Sequence, residues 1–189
     1  MNEGHSAQQV LREVYAALAE LWCSPADIDM GEAKKGAQEA VAKLGDPVVT
    51  TLLARFFETP ISEEEYIELF ELAPRCPLYL GSHVFDEPKT CAQAAVSERN
   101  AYMSELLALY KHFGMTPKGK ELPDYLPLMV EFLSLTAGSS DPLREKFLKD
   151  YLLPFLAPVR ARLEHLKSPY LYLLEALERV MQREGGSHA

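Results

Sequence analysis

The sequence predicts an all-α fold, a single helical bundle of about seven to nine helices over residues 1–189, with a tail at 185–189 free to fray. Three observations carry this prediction. Apolar residues recur at the helical period, proline and cap residues punctuate them, and no stretch alternates apolar with polar residues over successive hairpins. Ser6 and Gln9 form a capping-box pattern ahead of Val10, Leu11, Val14, Ala17, Leu18, Leu21 and Trp22, so a first helix stops before Pro25. An alanine-rich helix covers 31–44. Asp46-Pro47 is an N-cap followed by proline at the first helical position, and Val49, Leu52, Leu53, Phe56 and Phe57 supply the buried face. Ser62 and Glu65 make a second capping box for a helix running to about Leu72.

Pro77–Phe85 is the one strand-like run, and a lone strand has no partner. A long helix from about Thr90 to Phe113 ends at Gly114, well placed as the residue after the cap. The next helix is predicted to start at Pro123, turning Leu122, Tyr125, Leu126, Met129, Phe132 and Leu133 to the core. Asp141-Pro142 and Ser168-Pro169 repeat the cap-then-proline signal, while Pro154 and Pro158 are expected to kink or divide 142–166.

Composition narrows the function classes. Twenty-eight acidic against 19 basic residues give a net charge of −9, which disfavours nucleic acid and anionic membranes and suits a partner presenting arginine or lysine. No apolar run reaches the roughly 20 residues of a membrane span. The N-terminal MNEGHSAQQVLREV has no basic start, apolar centre or cleavage site, and Cys23, Cys76 and Cys91 are odd in number and scattered. A cytoplasmic protein with reduced thiols is the expectation.

Among chemical motifs, Gly114-Met-Thr-Pro-Lys-Gly119-Lys120-Glu121 lies one residue from a phosphate-binding loop. Glu121 stands where Ser or Thr is needed to hold magnesium, and a helix rather than a strand precedes it. A nucleotide-dependent enzyme is thus the rival reading, and a linker the plain one. The five histidines show no metal-binding spacing, although Cys76, His83 and Cys91 surround one loop; no metal and no cofactor is expected. Asp124 and Glu131, seven apart on the predicted helix, are separated by about 10 Å along its axis, too far to share a proton but suited to two cation sites. Asp124 in a first turn equally serves the helix dipole. Tyr79, Leu80, His83 and Phe85 form an aromatic loop, either a core plug or one wall of a groove for an arginine-bearing apolar peptide.

The run ELPDYLPLMVEFL, with YIELFELAPRCPLYLGSHVFDEP upstream, resembles the TorD/DmsD/NarJ superfamily of assembly chaperones for molybdenum-cofactor oxidoreductases, nearest its NarJ branch. The family's Glu-x-Pro-Asp-His signature reads here Glu121-Leu122-Pro123-Asp124-Tyr125, followed by Glu131-Phe132-Leu133. Motif support covers about residues 62–136. Tyr125 replaces a frequent histidine, so no imidazole role carries over. Asp86-Glu87-Pro88-Lys89-Thr90-Cys91 replaces an Arg-x-Arg-Gly run, which points to a related molybdoenzyme as client. The resemblance implies a TorD-like helical fold, no catalysis, and binding of the N-terminal, twin-arginine-type segment of an apo catalytic subunit until its cofactor is inserted. The residues expected to hold that segment are Glu121, Pro123, Asp124, Tyr125 and Glu131, with Tyr79, His83 and Phe85 on the hydrophobic side. A permanent helical subunit of a complex is a further alternative.

Overall fold

The computed structural model describes residues 3–85, 97–119 and 121–186. Every regular element among them is helical, which confirms the all-α prediction; the exception to helix is an isolated antiparallel bridge between Tyr79 and Tyr125. In chain order the elements are α1 (Glu3–Leu21), α2 (Met30–Leu44), α3 (Pro47–Glu58), α4 (Glu63–Phe70), a 3-10 turn (Leu80–His83), α5 (Glu98–His112), α6 (Leu126–Leu135), α7 (Pro142–Lys146), a π-helical segment (Phe147–Leu152), α8 (Leu153–Leu166) and α9 (Tyr170–Gly186).

Most starts follow the cap chemistry of the sequence. Asp46 accepts from the Val48 and Val49 N–H groups with Pro47 behind it, Ser62 and Glu65 form the full reciprocal box, and Asp141 accepts from Leu143 N–H. Gly114 closes α5 in the left-handed region at φ +73°, where a side chain would strain the backbone. That ending makes residues 114–119 a helix-to-helix connection and supplies no strand before a phosphate loop; Lys120 lies outside the described residues.

Several boundaries differ from expectation. The first helix begins at Glu3, so Ser6 lies inside it rather than capping it. The fourth stops at Phe70, short of Leu72. The fifth is capped by Ser97, whose hydroxyl accepts from Asn100 N–H, so it starts well after Thr90; residues 90–96, including Ala95, lie outside the described residues. The expected division of 142–166 falls at the π-helical segment just before Pro154. Proline has no N–H to continue the preceding ladder, whereas Pro158 is accommodated inside α8.

Packing centres on Tyr170 at the start of α9. Its ring lies 4.8–6.1 Å from those of Trp22, Phe56, Tyr66 and Phe70, joining α1, α3, α4 and α9. A second aromatic group, Tyr110, Phe113, Phe132 and Phe147, joins α5, α6 and the π-helical segment. Helix α6 lies against α1, where the Ser134 hydroxyl donates to the Arg12 carbonyl. Near the end of α6 the buried Arg144 donates to Thr136 and Glu184, and Tyr15 donates to the same carboxylate, so α1, α7 and α9 share one buried polar network.

Asp46 has a second role. Burial alone raises its carboxyl pKa, but the two N–H groups of α3 and the Arg179 guanidinium outweigh burial and hold it below the usual carboxylate range. The folded state therefore gains from its ionised form. Asp46→Ala is expected to cost about 1–2 kcal/mol in urea unfolding at neutral pH. This difference should shrink as pH falls below about 4, because the stabilisation is present above the unfolded pKa and lost through the lower folded one.

Candidate functional site

The segment 121–126 and the loop 77–85 are stitched together by backbone. Leu80 N–H donates to the Asp124 carbonyl at 3.0 Å, and Leu126 N–H to the Leu78 carbonyl at 2.9 Å, around the Tyr79–Tyr125 bridge. The strand-like run of the sequence thus finds its single partner in the signature segment itself. This pairing displaces the expected helix start. Residues 123 and 124 form a turn, Tyr125 caps, and α6 begins at Leu126 with Pro127 in its first turn. Leu122, expected in the core, is 39% exposed.

Asp124 consequently leaves the exposed helix face shared with Glu131 and turns inward, with none of its surface accessible. Its Oδ2 accepts from Gly81 N–H at 2.9 Å and lies 3.8 Å from the Arg99 guanidinium of α5. A Cβ on Gly81 would stand 2.8 Å from the same oxygen, so only glycine lets backbone and carboxylate meet. Burial dominates the Asp124 environment and raises its pKa, against the opposing pull of Gly81 N–H and Arg99. Arg99 escaped the sequence reading. Its signal was position: a cation in the first turn of a helix opposes the dipole and needs a carboxylate elsewhere.

The other expected site residues divide between interior and surface. Pro123 is buried, and its carbonyl accepts from the Tyr110 hydroxyl at 2.8 Å. His83 is half-buried, with its pKa lowered chiefly by burial. Its Nε2 lies 2.7 Å from the Pro77 carbonyl, an acceptor only, so in the neutral ring that nitrogen carries the proton. Phe85 packs against Tyr102 and Phe155, 5.5 and 5.8 Å away, as part of the core edge. Tyr79, Glu121 and Tyr125 remain together at the surface: the Tyr79 hydroxyl donates to Glu121 at 2.5 Å, and the two tyrosine rings lie 5.3 Å apart. Burial pushes the Tyr125 hydroxyl up to about 12, with Cys23, Tyr66, Glu121 and Glu71 around it. Glu131 stands apart on α6, exposed, beside a cavity with Tyr110, Met115, Leu128 and Leu135 that the sequence reading had not identified.

An acidic field surrounds this surface. Burial, then the carboxylates of Glu20, Asp27 and Glu131, raises the Cys23 thiol, and burial takes Cys76 up to about 11, so neither is an activated nucleophile. Cys91 lies outside the described residues. No group of three metal-ligating side chains converges among the described residues, and no described helix is long and apolar enough to cross a membrane.

These features define an all-helical protein whose signature segment builds a hydrogen-bonded corner of tyrosine and carboxylate. The chain belongs to the nitrate reductase delta subunit family, whose model matches residues 32–174. It is 31% identical over 140 residues to the probable nitrate reductase molybdenum cofactor assembly chaperone NarW of Escherichia coli K12, covering 73% of this chain and 55% of NarW. Against E. coli K12 NarJ, a nitrate reductase molybdenum cofactor assembly chaperone, identity is 34% over 116 residues, 61% of this chain and 44% of NarJ. The probable NarJ of Bacillus subtilis strain 168 is 30% identical over 154 residues, 77% of this chain and 76% of that protein. The chain spans about half the length of its E. coli relatives.

Gly81→Ala is expected to lower stability by about 1–3 kcal/mol in denaturant unfolding, because the methyl group and the Asp124 carboxylate compete for one volume. Asp124→Asn should alter the pH profile. With its pKa raised, wild-type Asp124 binds its proton more tightly folded than unfolded, so its contribution to stability falls as pH rises from about 4 through the folded pKa. That limb should be absent from the variant when the two unfolding curves are subtracted.

Proposed function

We propose that this protein is a non-catalytic maturation chaperone for a molybdenum-cofactor oxidoreductase, binding the N-terminal segment of the apo catalytic subunit in the cytoplasm until the cofactor is in place. Membership of the delta-subunit family supports the assembly role, since its relatives carry that name. The observation that carries the peptide-binding reading is the surface corner of Tyr79, Glu121 and Tyr125, set in the charges of Glu71, Glu20, Asp27 and Glu131. Carboxylates take an arginine guanidinium in bidentate fashion, and tyrosine rings stack on its face. A twin-arginine-type segment offers both groups.

In this arrangement Asp124 does not touch the client. It is the positioning residue that locks loop 77–85 against the signature segment, so the tyrosine pair is preformed and little ordering entropy is spent on binding. His83 and Phe85 support the same loop from beneath.

Calorimetric titration of the client's N-terminal peptide into the full chain tests the reading at two salt concentrations. Binding is expected at low salt and weaker binding at high salt, since part of the attraction is between exposed charges. Absence of heat at both concentrations would refute it. Glu121→Gln alone should weaken binding only several-fold, as exposed pairs contribute below about 1 kcal/mol. Co-purification separates a chaperone from a permanent subunit: the chaperone leaves a cofactor-loaded client, and the subunit stays.

A further inference from the structure

We infer that the groove between loop 114–119 and helix α6 receives the apolar side chains of a short cationic peptide, with Glu131 as its counter-charge. This rests on the peptide-holding function proposed above and gives the apolar part of the client segment a place distinct from the Tyr79 corner. Helix α6 (LPLMVEFLSL) carries one charge, Glu131, and is buried over most of its circumference. It nevertheless leaves Leu128 half-buried and Leu135 46% exposed, three before and four after Glu131, so the three share one stripe. Met115 and Pro117 of the loop face that stripe, and Tyr110 and Phe132 line it as well. The groove is open to solvent on one side and has a volume of about 340 Å³, at the lower end of the range for ligand pockets.

Charge decides the kind of occupant. Glu131 makes no hydrogen bond or ion pair with another described residue, although it lines an apolar hollow. Its field also reaches Cys23, outside the groove, where Glu20 and Asp27 add to it, so the acidity continues from the groove toward the end of α1. Lys118, on the loop opposite, repels a cation and so directs it to the Glu131 wall. An acidic peptide or an anionic lipid surface would meet the opposite balance.

One side chain links the groove to the signature segment. Tyr110, which lines the groove, donates its buried hydroxyl to the Pro123 carbonyl, two residues from Glu121. From Tyr125 to Glu131 is about 9 Å along the helix axis, the span of about three extended residues. A segment long enough to follow the helix surface would place one basic side chain at Glu121, another at Glu131, and apolar side chains beside Leu128 and Leu135.

The test uses the full chain and the same client N-terminal peptide, by calorimetry, with three variants at exposed positions. Leu135→Asp and Glu131→Lys are each expected to weaken binding about tenfold or more, and Lys118→Glu to strengthen it several-fold. The gain in affinity for Lys118→Glu is a result that misfolding does not produce. If wild type binds and all three variants bind equally well, the groove assignment is overturned while the chaperone reading stands; if wild type does not bind, the reading beneath it fails. If sedimentation shows wild type to be a dimer that Leu135→Asp converts to monomer, the occupant is a second copy of this chain and the inference is overturned.

Discussion

The candidate site depends on one buried charge. A carboxylate with no accessible surface is costly unless it is met by donors, and Asp124 meets that cost only in part: Oδ2 has one backbone N–H, from Gly81, and a guanidinium 3.8 Å away, from Arg99, while Oδ1 has no hydrogen-bond partner among the described residues. Each partner comes from a different part of the chain. Gly81 belongs to the loop after α4, Arg99 to the first turn of α5, and Asp124 to the turn before α6. The carboxylate thus ties three connections to one another, alongside the packing of Phe85 against Tyr102 and Phe155. The two backbone bonds between Leu78–Leu80 and Asp124–Leu126 complete the clamp.

The clamp has a consequence one layer further out. Because the polar part of the signature faces inward, the residues flanking Asp124 are forced to the surface: Glu121 and Leu122 on one side, and on the other Tyr125, whose ring remains half-buried. Tyr79, bridged to Tyr125, is carried with them. The surface corner is therefore held by backbone bonds and buried contacts rather than by long exposed side chains, and in the proposed peptide-holding role this lowers the entropy cost of ordering a flexible segment. Its carboxylates stay solvated and cost the fold little, while their summed field extends over α6 and the end of α1.

Much of the fold was legible because its helix starts are local chemistry. Asp46-Pro47, Ser62-x-x-Glu65 and Asp141-Pro142 declare their helices within four residues, and the structure uses each as written. The site was less legible because it is made of non-local pairings. Pro123 looked like a helix start, yet the backbone around it bonds to residues more than forty positions earlier, and that tertiary ladder outcompetes the local proline signal. Asp124 and Glu131 shared a face only while Asp124 counted as helical. The residue types of the site were readable from the signature, but their division into inner clamp and outer corner was not. Only the packing of loop 77–85 decides which of them water reaches.

The exposed stripe of α6 gains its meaning from the same comparison. A helix with one charged residue and neighbours on most sides would be expected to turn leucine inward everywhere, and α6 does so for Leu126, Met129, Val130 and Leu133. Leu128 and Leu135 break that economy beside the single carboxylate, and loop 114–119 stands over them as a wall. Isolated exposed leucines are ordinary on a protein surface. Two on one helical stripe, inside a concavity that also holds a carboxylate with no ion pair among the described residues, combine apolar area with a fixed charge, and that combination is the ground for the inferred peptide groove. The occupant inferred for this groove, apolar side chains accompanied by a cation, matches the occupant proposed for the tyrosine and glutamate corner ahead of the same helix. The two proposals draw on different parts of the sequence and ask for the same kind of peptide.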